Sequence, residues 1–132
     1  MADVIELFGV GAVARRTEDG GYRAFRLFGN GEPGRGLFLV FRNNVDYLIL
    51  SYADLESIGN PPGVAPNDVV LLRFRGTVAR EVRVEGVRLL HLVDQLWHGR
   101  AACIREAPEG WSGPLDGSVP VITRMNVREL RG

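Results

Sequence analysis

The chain has 132 residues, of which 45% are hydrophobic and 24% charged, and its 16 basic and 16 acidic side chains cancel. These values are typical of one folded domain and exclude a disordered chain, while the balanced charge argues against a nucleic-acid partner. The single cysteine, Cys103, excludes an intrachain disulfide, and no apolar run approaches the roughly 20 residues of a membrane-spanning helix, so we expect no integral membrane segment.

The first part of the chain has the pattern of a β-hairpin. Apolar runs at 4–8 and 10–16 predict strands, with Gly9 and Gly11 as candidate bulge positions. An Asp19-Gly20 turn then leads to a strand at 22–28. The next segment contains Gly29, Gly31 and Gly34 with dinucleotide-loop spacing, but a strand follows it instead of a helix, so we expect only a glycine-rich loop.

A second hairpin follows. Residues 37–41 and 45–52 are β-compatible runs that flank Asn43-Asn44, a dipeptide typical of tight turns. One helical turn is expected at 53–58. The segment 59–68 contains three prolines and two glycines and is therefore predicted to be a loop.

After residue 68 the apolar residues first recur at every second position and then at every third or fourth position. Residues 69–75 and 77–85 alternate as two strands that turn at Arg75-Gly76-Thr77. The next segment, 87–98, predicts one amphipathic helix that ends at Gly99 and caps the sheet. Its apolar side is Leu89, Leu90, Leu92, Val93, Leu96 and Trp97, and its polar side is Arg88, His91, Asp94, Gln95 and His98.

After the helix, residues 100–106 predict a strand with Ala102 and Ile104 on one face and Cys103 and Arg105 on the other. Prolines and glycines punctuate the rest, within which 119–127 could form one strand. We therefore expect a β-rich domain at 1–107 and an extended C-terminal appendage at 108–132. The fold class is mainly β (α+β), with seven to eight strands in antiparallel sheets that form a partly open barrel or sandwich.

Two groups of residues are candidates for binding. Arg73 and Arg75 share a strand face and could hold an anion, although Glu81 and Glu85 nearby could instead pair with arginines across the sheet. The appendage offers apolar side chains that could contact a protein partner or a second copy. These are Trp111, Val119, Val121, Ile122 and Met125.

No catalytic residue, metal site or cofactor is expected. His91 and His98 are seven residues apart on the helix, so roughly 10 Å along the axis separates them, too far for both to bind one ion. Cys103 is expected to be a small core residue, since a reactive thiolate needs a base or a positive neighbour.

All 16 basic residues are arginine, which is typical of a GC-rich bacterial genome and excludes lysine chemistry. The N-terminal segment carries acidic residues where a secretory signal carries positive charge, so we expect a cytoplasmic protein.

The order of seven strands followed by one tryptophan-bearing helix, over residues 4–98, resembles pleckstrin-homology-type and GRAM-like domains. The resemblance implies two bent antiparallel sheets closed at one end by a C-terminal helix. Family lipid binding uses basic residues in the loop after the first strand, whereas this chain has Phe8-Gly9-Val10 there. The strand expected after the helix is a further departure.

These observations favour a non-enzymatic protein-interaction or self-association module that displays a sheet edge or its C-terminal residues. The alternative is a small-ligand or anion-binding module that uses Arg73 and Arg75. An enzyme has the least support, because no acid–base pair or activated nucleophile can be placed from the sequence.

Overall fold

The structure is a computed structural model that describes residues 21–32, 36–62 and 67–130. It confirms the mainly β class with one helix: the described part of the chain forms two four-stranded sheets around one core and no closed barrel. The strands predicted at 4–8 and 10–16 lie outside the described residues.

The strands and the helix alternate along the chain much as the periodicity predicts. In chain order the elements are β1 (Phe25–Leu27), β2 (Phe38–Arg42), β3 (Tyr47–Ser51), β4 (Leu55–Gly59), β5 (Asp68–Phe74), β6 (Ala79–Val87), α1 (Leu90–Trp97), β7 (Ala101–Arg105) and β8 (Val121–Leu130). Sheet A has the strand order β1-β7-β2-β3, and sheet B has the order β4-β5-β6-β8.

Sheet A combines a local hairpin with a long-range pair. The hairpin of β2 and β3 turns at Asn43, whose Oδ1 accepts hydrogen bonds of 2.8 Å from the N–H groups of Val45 and Asp46. Strand β7 inserts between β1 and β2 and runs parallel to β2. The β1 and β2 strands are therefore not neighbours, although they follow each other in the described chain.

The segment between the two sheets is mostly strand, and the helical turn predicted at 53–58 is wrong for most of its length. A 3₁₀ turn occupies Tyr52–Asp54, where the Ser51 hydroxyl accepts from the N–H of Ala53, and β4 begins immediately afterwards. The backbone of β4 bonds to β5 instead of to itself, with Leu55 opposite Phe74. Pairing with a neighbouring strand overrides the weak local preference for a helix.

Sheet B contains the predicted β5–β6 hairpin and one strand from the C-terminal region. Strand β8 pairs with β6 along nearly its whole length, from Val121 opposite Val87 to Leu130 opposite Ala79. Val121–Leu130 thus forms an edge strand of sheet B, with Ile122 and Met125 in the core, and the domain boundary expected at residue 107 stays a prediction.

The core lies between the sheets and is closed by α1. The rings of Phe41 in sheet A and Phe74 in sheet B meet edge to face with centroids 5.8 Å apart. Helix α1 buries Leu92 and Leu96. Its last residue is Trp97, and Gly99 stands two residues later at the predicted stop, where a left-handed φ of +65° accompanies a hydrogen bond back to Leu96.

Three helix side chains differ from the predicted amphipathic division. Gln95 was expected on the polar face but is 5% exposed, whereas Leu90 and Trp97 were expected on the apolar face and are 61% and 75% exposed. The helix has only eight residues and is covered unevenly, so its neighbours decide burial as much as its own periodicity does. No described helix is long and apolar enough to cross a membrane.

Candidate functional site

The two arginines predicted to bind an anion already have partners within the fold. Arg73 donates from Nε to a carboxylate oxygen of Glu81 at 3.1 Å. Arg75 donates from Nη2 to the main-chain carbonyl of Ala53 at 3.3 Å. The cross-strand ion pair that the sequence offered as an alternative is therefore formed, and an anion-binding role for these two arginines stays a prediction.

Glu81 links three strands of sheet B. Its second carboxylate oxygen accepts from Nε of Arg128 on β8 at 2.9 Å, and the residue is 5% exposed. Burial raises the pKa of the Glu81 carboxyl, but the hydrogen bonds from Arg128 and Arg73 outweigh it and hold the pKa below its ordinary value. The row Arg73–Glu81–Arg128 is a satisfied structural network on the outer face of sheet B.

The residues predicted to contact a partner separate into two groups. Val121, Ile122 and Met125 lie on β8 and are at most 3% exposed, packed into the core of their own molecule. That burial accounts for their apolar character without a partner. Trp111 packs edge-on against Tyr22, with ring centroids 5.4 Å apart, and Val119 is 45% exposed. A contact role for Trp111 and Val119 stays a prediction.

The histidines and the cysteine form no common site. The Nδ1 atom of His98 lies 2.9 Å from the carbonyl oxygen of Asp94, and the His91 ring packs against Phe25. Cys103 is half-buried on the outer face of sheet A and not in the core where it was expected. Among the described residues, no group of three or more His, Cys, Asp or Glu side chains could hold a metal ion.

An open cleft of about 440 Å³ lies between the end of α1 and the start of β4. Its floor includes Leu55 and Leu96, and its polar groups include Glu56 and His98. Trp97, whose side chain is largely exposed, also lines this cleft. Glu56 and His98 are titratable residues of this lining, and the cleft is open to solvent.

The outer face of sheet A carries three arginines around one thiol. Arg26 on β1 lies opposite Cys103 on β7, and Arg105, two residues further along β7, lies opposite Arg42 on β2. Burial raises the pKa of the Cys103 thiol, while the positive charges of Arg26, Arg42 and Arg105 oppose that rise. We call these three arginines the arginine cluster.

The same face continues into an apolar patch toward the edge strand β3. Val40 lies opposite both Cys103 and Ile49, and Arg42 lies opposite Tyr47. Phe38, Tyr47 and Ile49 are 48%, 42% and 39% exposed, which is unusual for three large apolar residues on one small sheet face.

In the described sheets β3 is an edge strand, and it has a defined set of outward-pointing backbone groups. Hydrogen bonds from Tyr52 to Leu37 and from Asn43 to Asp46 fix which residue pairs bond across the β2–β3 ladder. Because bonded and non-bonded pairs alternate, the N–H and C=O groups of Tyr47, Ile49 and Ser51 point away from β2. Their side chains lie on the outer face, since Leu48 and Leu50 pack against the core.

Sequence reasoning did not find the arginine cluster or the β3 edge as a site. The alternation in β7 predicted that Arg105 and Ile104 lie on opposite faces of the sheet. This was the only indication that Arg105 belongs to the outer face. The parallel pairing of β2 with β7 joins residues some sixty positions apart, so nothing local indicated that Arg42 and Arg105 meet.

Comparisons of this chain with protein-family models, with curated proteins and with solved structures gave no match. The resemblance to pleckstrin-homology-type and GRAM-like domains therefore stays a prediction.

Proposed function

We propose that this chain is a non-enzymatic self-association module in which β3 of one copy pairs with β3 of a second copy. One observation carries the proposal: of the four edge strands in the described sheets, β3 alone contains no charged residue. The others contain Arg26 in β1, Glu56 in β4 and Arg124 in β8. Charged side chains on an edge strand discourage pairing with another chain, so β3 is the best suited of these four described edges to pair with one.

The geometry of β3 suits a two-fold antiparallel pair. With Ile49 on the symmetry axis, Tyr47 of one copy lies opposite Ser51 of the other. The outward-pointing N–H and C=O groups belong to these same three residues, so every one of them meets a complementary group. A closed, symmetric dimer of this kind is the commonest oligomer of soluble proteins.

The side chains on the outer face favour the same arrangement. Pairing of the two β3 strands joins the two A sheets into one eight-stranded sheet and brings together the exposed side chains of Ile49, Tyr47 and Phe38 from both copies. No like charges meet across the new strand pair, because Tyr47–Ser51 has none. The apolar patch is thereby partly removed from water.

We also propose that the module acts in a bacterial cytoplasm. The arginine-only basic composition supports a GC-rich bacterial source, and the single half-buried thiol suits a reducing compartment.

The test is the molar mass of the full chain in solution, measured by light scattering after size exclusion. The wild-type chain is expected at twice the mass of one chain. Ile49→Lys is expected at the mass of one chain, because two ammonium groups would meet on the symmetry axis. Ile49→Pro is expected to give the same result, since it removes only an N–H that points away from β2.

Val78→Lys is the matched control, because Val78 is exposed to the same extent as Ile49, 39%, and lies in the β5–β6 turn of sheet B. It should remain dimeric. Circular dichroism checks that all variants keep the wild-type fold. A wild-type chain that stays monomeric at the highest reachable concentration contradicts the proposal, and so does a dimer that both Ile49 variants leave intact.

A further inference from the structure

Two arginines of the arginine cluster face each other directly across a strand pair. Arg42 on β2 and Arg105 on β7 are partners in the parallel ladder, so their side chains emerge side by side on the outer face of sheet A. Like charges directly opposite each other destabilise a sheet. Arg26, next to Cys103 in the adjacent row, adds a third positive charge.

The described residues neutralise this cluster only in part. Glu32 reaches Arg26, with 3.4 Å between a carboxylate oxygen and Nη1. Neither Arg42 nor Arg105 makes an ion pair with any carboxylate in the described part of the chain. Arg105 instead lies over the ring of Tyr22, with its guanidinium carbon 5.8 Å from the ring centroid.

Glu106 follows Arg105 in the sequence, but both of its carboxylate oxygens already accept hydrogen bonds from other residues. One oxygen of Glu106 accepts from the main-chain N–H and the side-chain amide of Asn44, and the other accepts from the N–H of Met125. The contrast with sheet B is clear, because Arg73 and Arg128 share Glu81 and Arg83 pairs with Glu85 there. Among the described residues, Arg42 and Arg105 of sheet A have no carboxylate partner, whereas these three arginines of sheet B do.

We propose that Arg42 and Arg105 bind the phosphoryl group of a small ligand on the outer face of sheet A. Planar guanidinium groups on neighbouring strands offer forked N–H donors that match phosphoryl oxygens, and a bound dianion removes the repulsion between them. Tyr47, opposite Arg42 on β3, adds an exposed ring on the same row that could stack on a flat group of the ligand.

Isothermal titration of the full chain with inorganic pyrophosphate, at constant ionic strength, tests the site. Wild type is expected to bind with one site per chain. Arg42→Gln and Arg105→Gln are each expected to weaken binding about tenfold to a hundredfold, because each removes hydrogen bonds to a charged group. Arg83→Gln is the matched control, since that arginine is paired with Glu85, and should bind as wild type does.

The thiol provides a readout that needs no variant. Cys103 is the only cysteine and lies in the row next to Arg42 and Arg105, so a bound anion is expected to slow its alkylation by iodoacetamide.

A parallel titration with adenosine diphosphate separates two sources of the phosphoryl group. If adenosine diphosphate binds more tightly than pyrophosphate, the ligand is a nucleotide; if the two bind equally, the ligand is a free phosphate. Either result supports the site if Arg42→Gln weakens the binding.

The proposal is overturned if pyrophosphate does not bind wild type, binds Arg42→Gln and Arg105→Gln as well as wild type, or leaves the alkylation rate of Cys103 unchanged. Pairing of β3 is not required for this site, because the cluster lies on the face of the sheet and not at its edge. Ile49→Pro is therefore expected to bind pyrophosphate even as a monomer.

Discussion

The main-chain N–H of Ile122 donates a hydrogen bond of 2.9 Å to the hydroxyl of Tyr22, and that hydroxyl donates in turn to the carbonyl of Arg105 at 2.9 Å. One side chain thus joins β8 of sheet B to β7 of sheet A. Both bonds are partly buried, and Trp111 packs against the ring of Tyr22. Tyr22 therefore fixes the C-terminal strand to the rest of the core.

We expect Tyr22→Phe to lower the free energy of unfolding by about 1 to 3 kcal/mol, because it leaves the N–H of Ile122 and the carbonyl of Arg105 without this partner. Urea unfolding followed by circular dichroism measures the change. Tyr47→Phe is the control, since Tyr47 is 42% exposed on the sheet surface, and it should change stability little. An unfolding midpoint for Tyr22→Phe equal to that of wild type would count against the anchoring role.

The same tyrosine predicts how stability responds to alkaline pH. Burial raises the pKa of Tyr22 to about 12 from an ordinary value of 10.0. Because this pKa is higher in the folded protein than in the unfolded chain, the contribution of the Tyr22 hydroxyl to stability is complete below pH 10.0. It is lost as the pH rises from 10.0 through about 12. The stability difference between wild type and Tyr22→Phe should therefore narrow over that window in urea titrations, and a constant difference contradicts the assignment.

Glu81 predicts a response at acidic pH. Glu81→Gln keeps the shape of the side chain but removes one of its two hydrogen bonds from arginines, because an amide nitrogen cannot accept, and weakens the other. We expect a loss of about 1 kcal/mol at neutral pH, modest because both arginines are exposed to solvent. The pKa of the Glu81 carboxyl lies below its ordinary value of 4.5, so its contribution is present above 4.5 and is lost as pH falls through the lowered pKa.

Thermal unfolding of wild type and Glu81→Gln between neutral and acidic pH tests this expectation. The two unfolding temperatures should differ at neutral pH and converge in acid. Glu85→Gln is the control, because its carboxylate is 26% exposed and bonds to one arginine, Arg83. A larger effect for Glu85→Gln than for Glu81→Gln would be inconsistent with the burial of Glu81.

Two leucines on α1 test how the helix packs. Leu92 is fully buried, so Leu92→Ala should cost about 2 to 5 kcal/mol through lost burial and the cavity it leaves. Leu90, two residues away, is 61% exposed, and Leu90→Ala should change the free energy of unfolding by less than about 0.5 kcal/mol. Urea denaturation compares the two, and equal losses would contradict the observed orientation of the helix.

The sequence predicts the elements that depend on local pattern. The β5–β6 hairpin, the Asn43 turn and the end of α1 just before Gly99 all follow from periodicity and turn chemistry, and the structure has each of them. Strand bounds differ by one to three residues, because hydrogen bonding to neighbours decides where a strand ends.

What depends on distant partners could not be predicted. A strand at 119–127 was expected, but its extension to Leu130 and its pairing with β6 were not, because the partner strand is distant in the sequence. The arginine cluster needs the parallel pairing of β2 with β7, for which no local signal exists. Gln95 is buried by surrounding elements, although its position in the sequence is that of a solvent-facing residue.

Gly86 is where the C-terminal strand comes closest to β6. The register of β6 against β8 shifts between Glu85 and Gly86, and a side chain at Gly86 would overlap the main chain of Val121. Gly86→Ala is therefore expected to lower stability by about 2 kcal/mol or more, because the obstacle is backbone and β8 must move as a whole.

Gly59→Ala on β4 is the matched control for Gly86→Ala, since a Cβ there meets only Leu71 at an ordinary 3.8 Å and no left-handed backbone is involved. Its stability should equal or slightly exceed that of wild type, because alanine restricts the unfolded chain more than glycine does. Urea unfolding of both variants distinguishes a requirement for close strand approach from a general cost of replacing glycine in a sheet. If Gly86→Ala unfolds with wild-type stability, β8 does not lie as close to β6 as described.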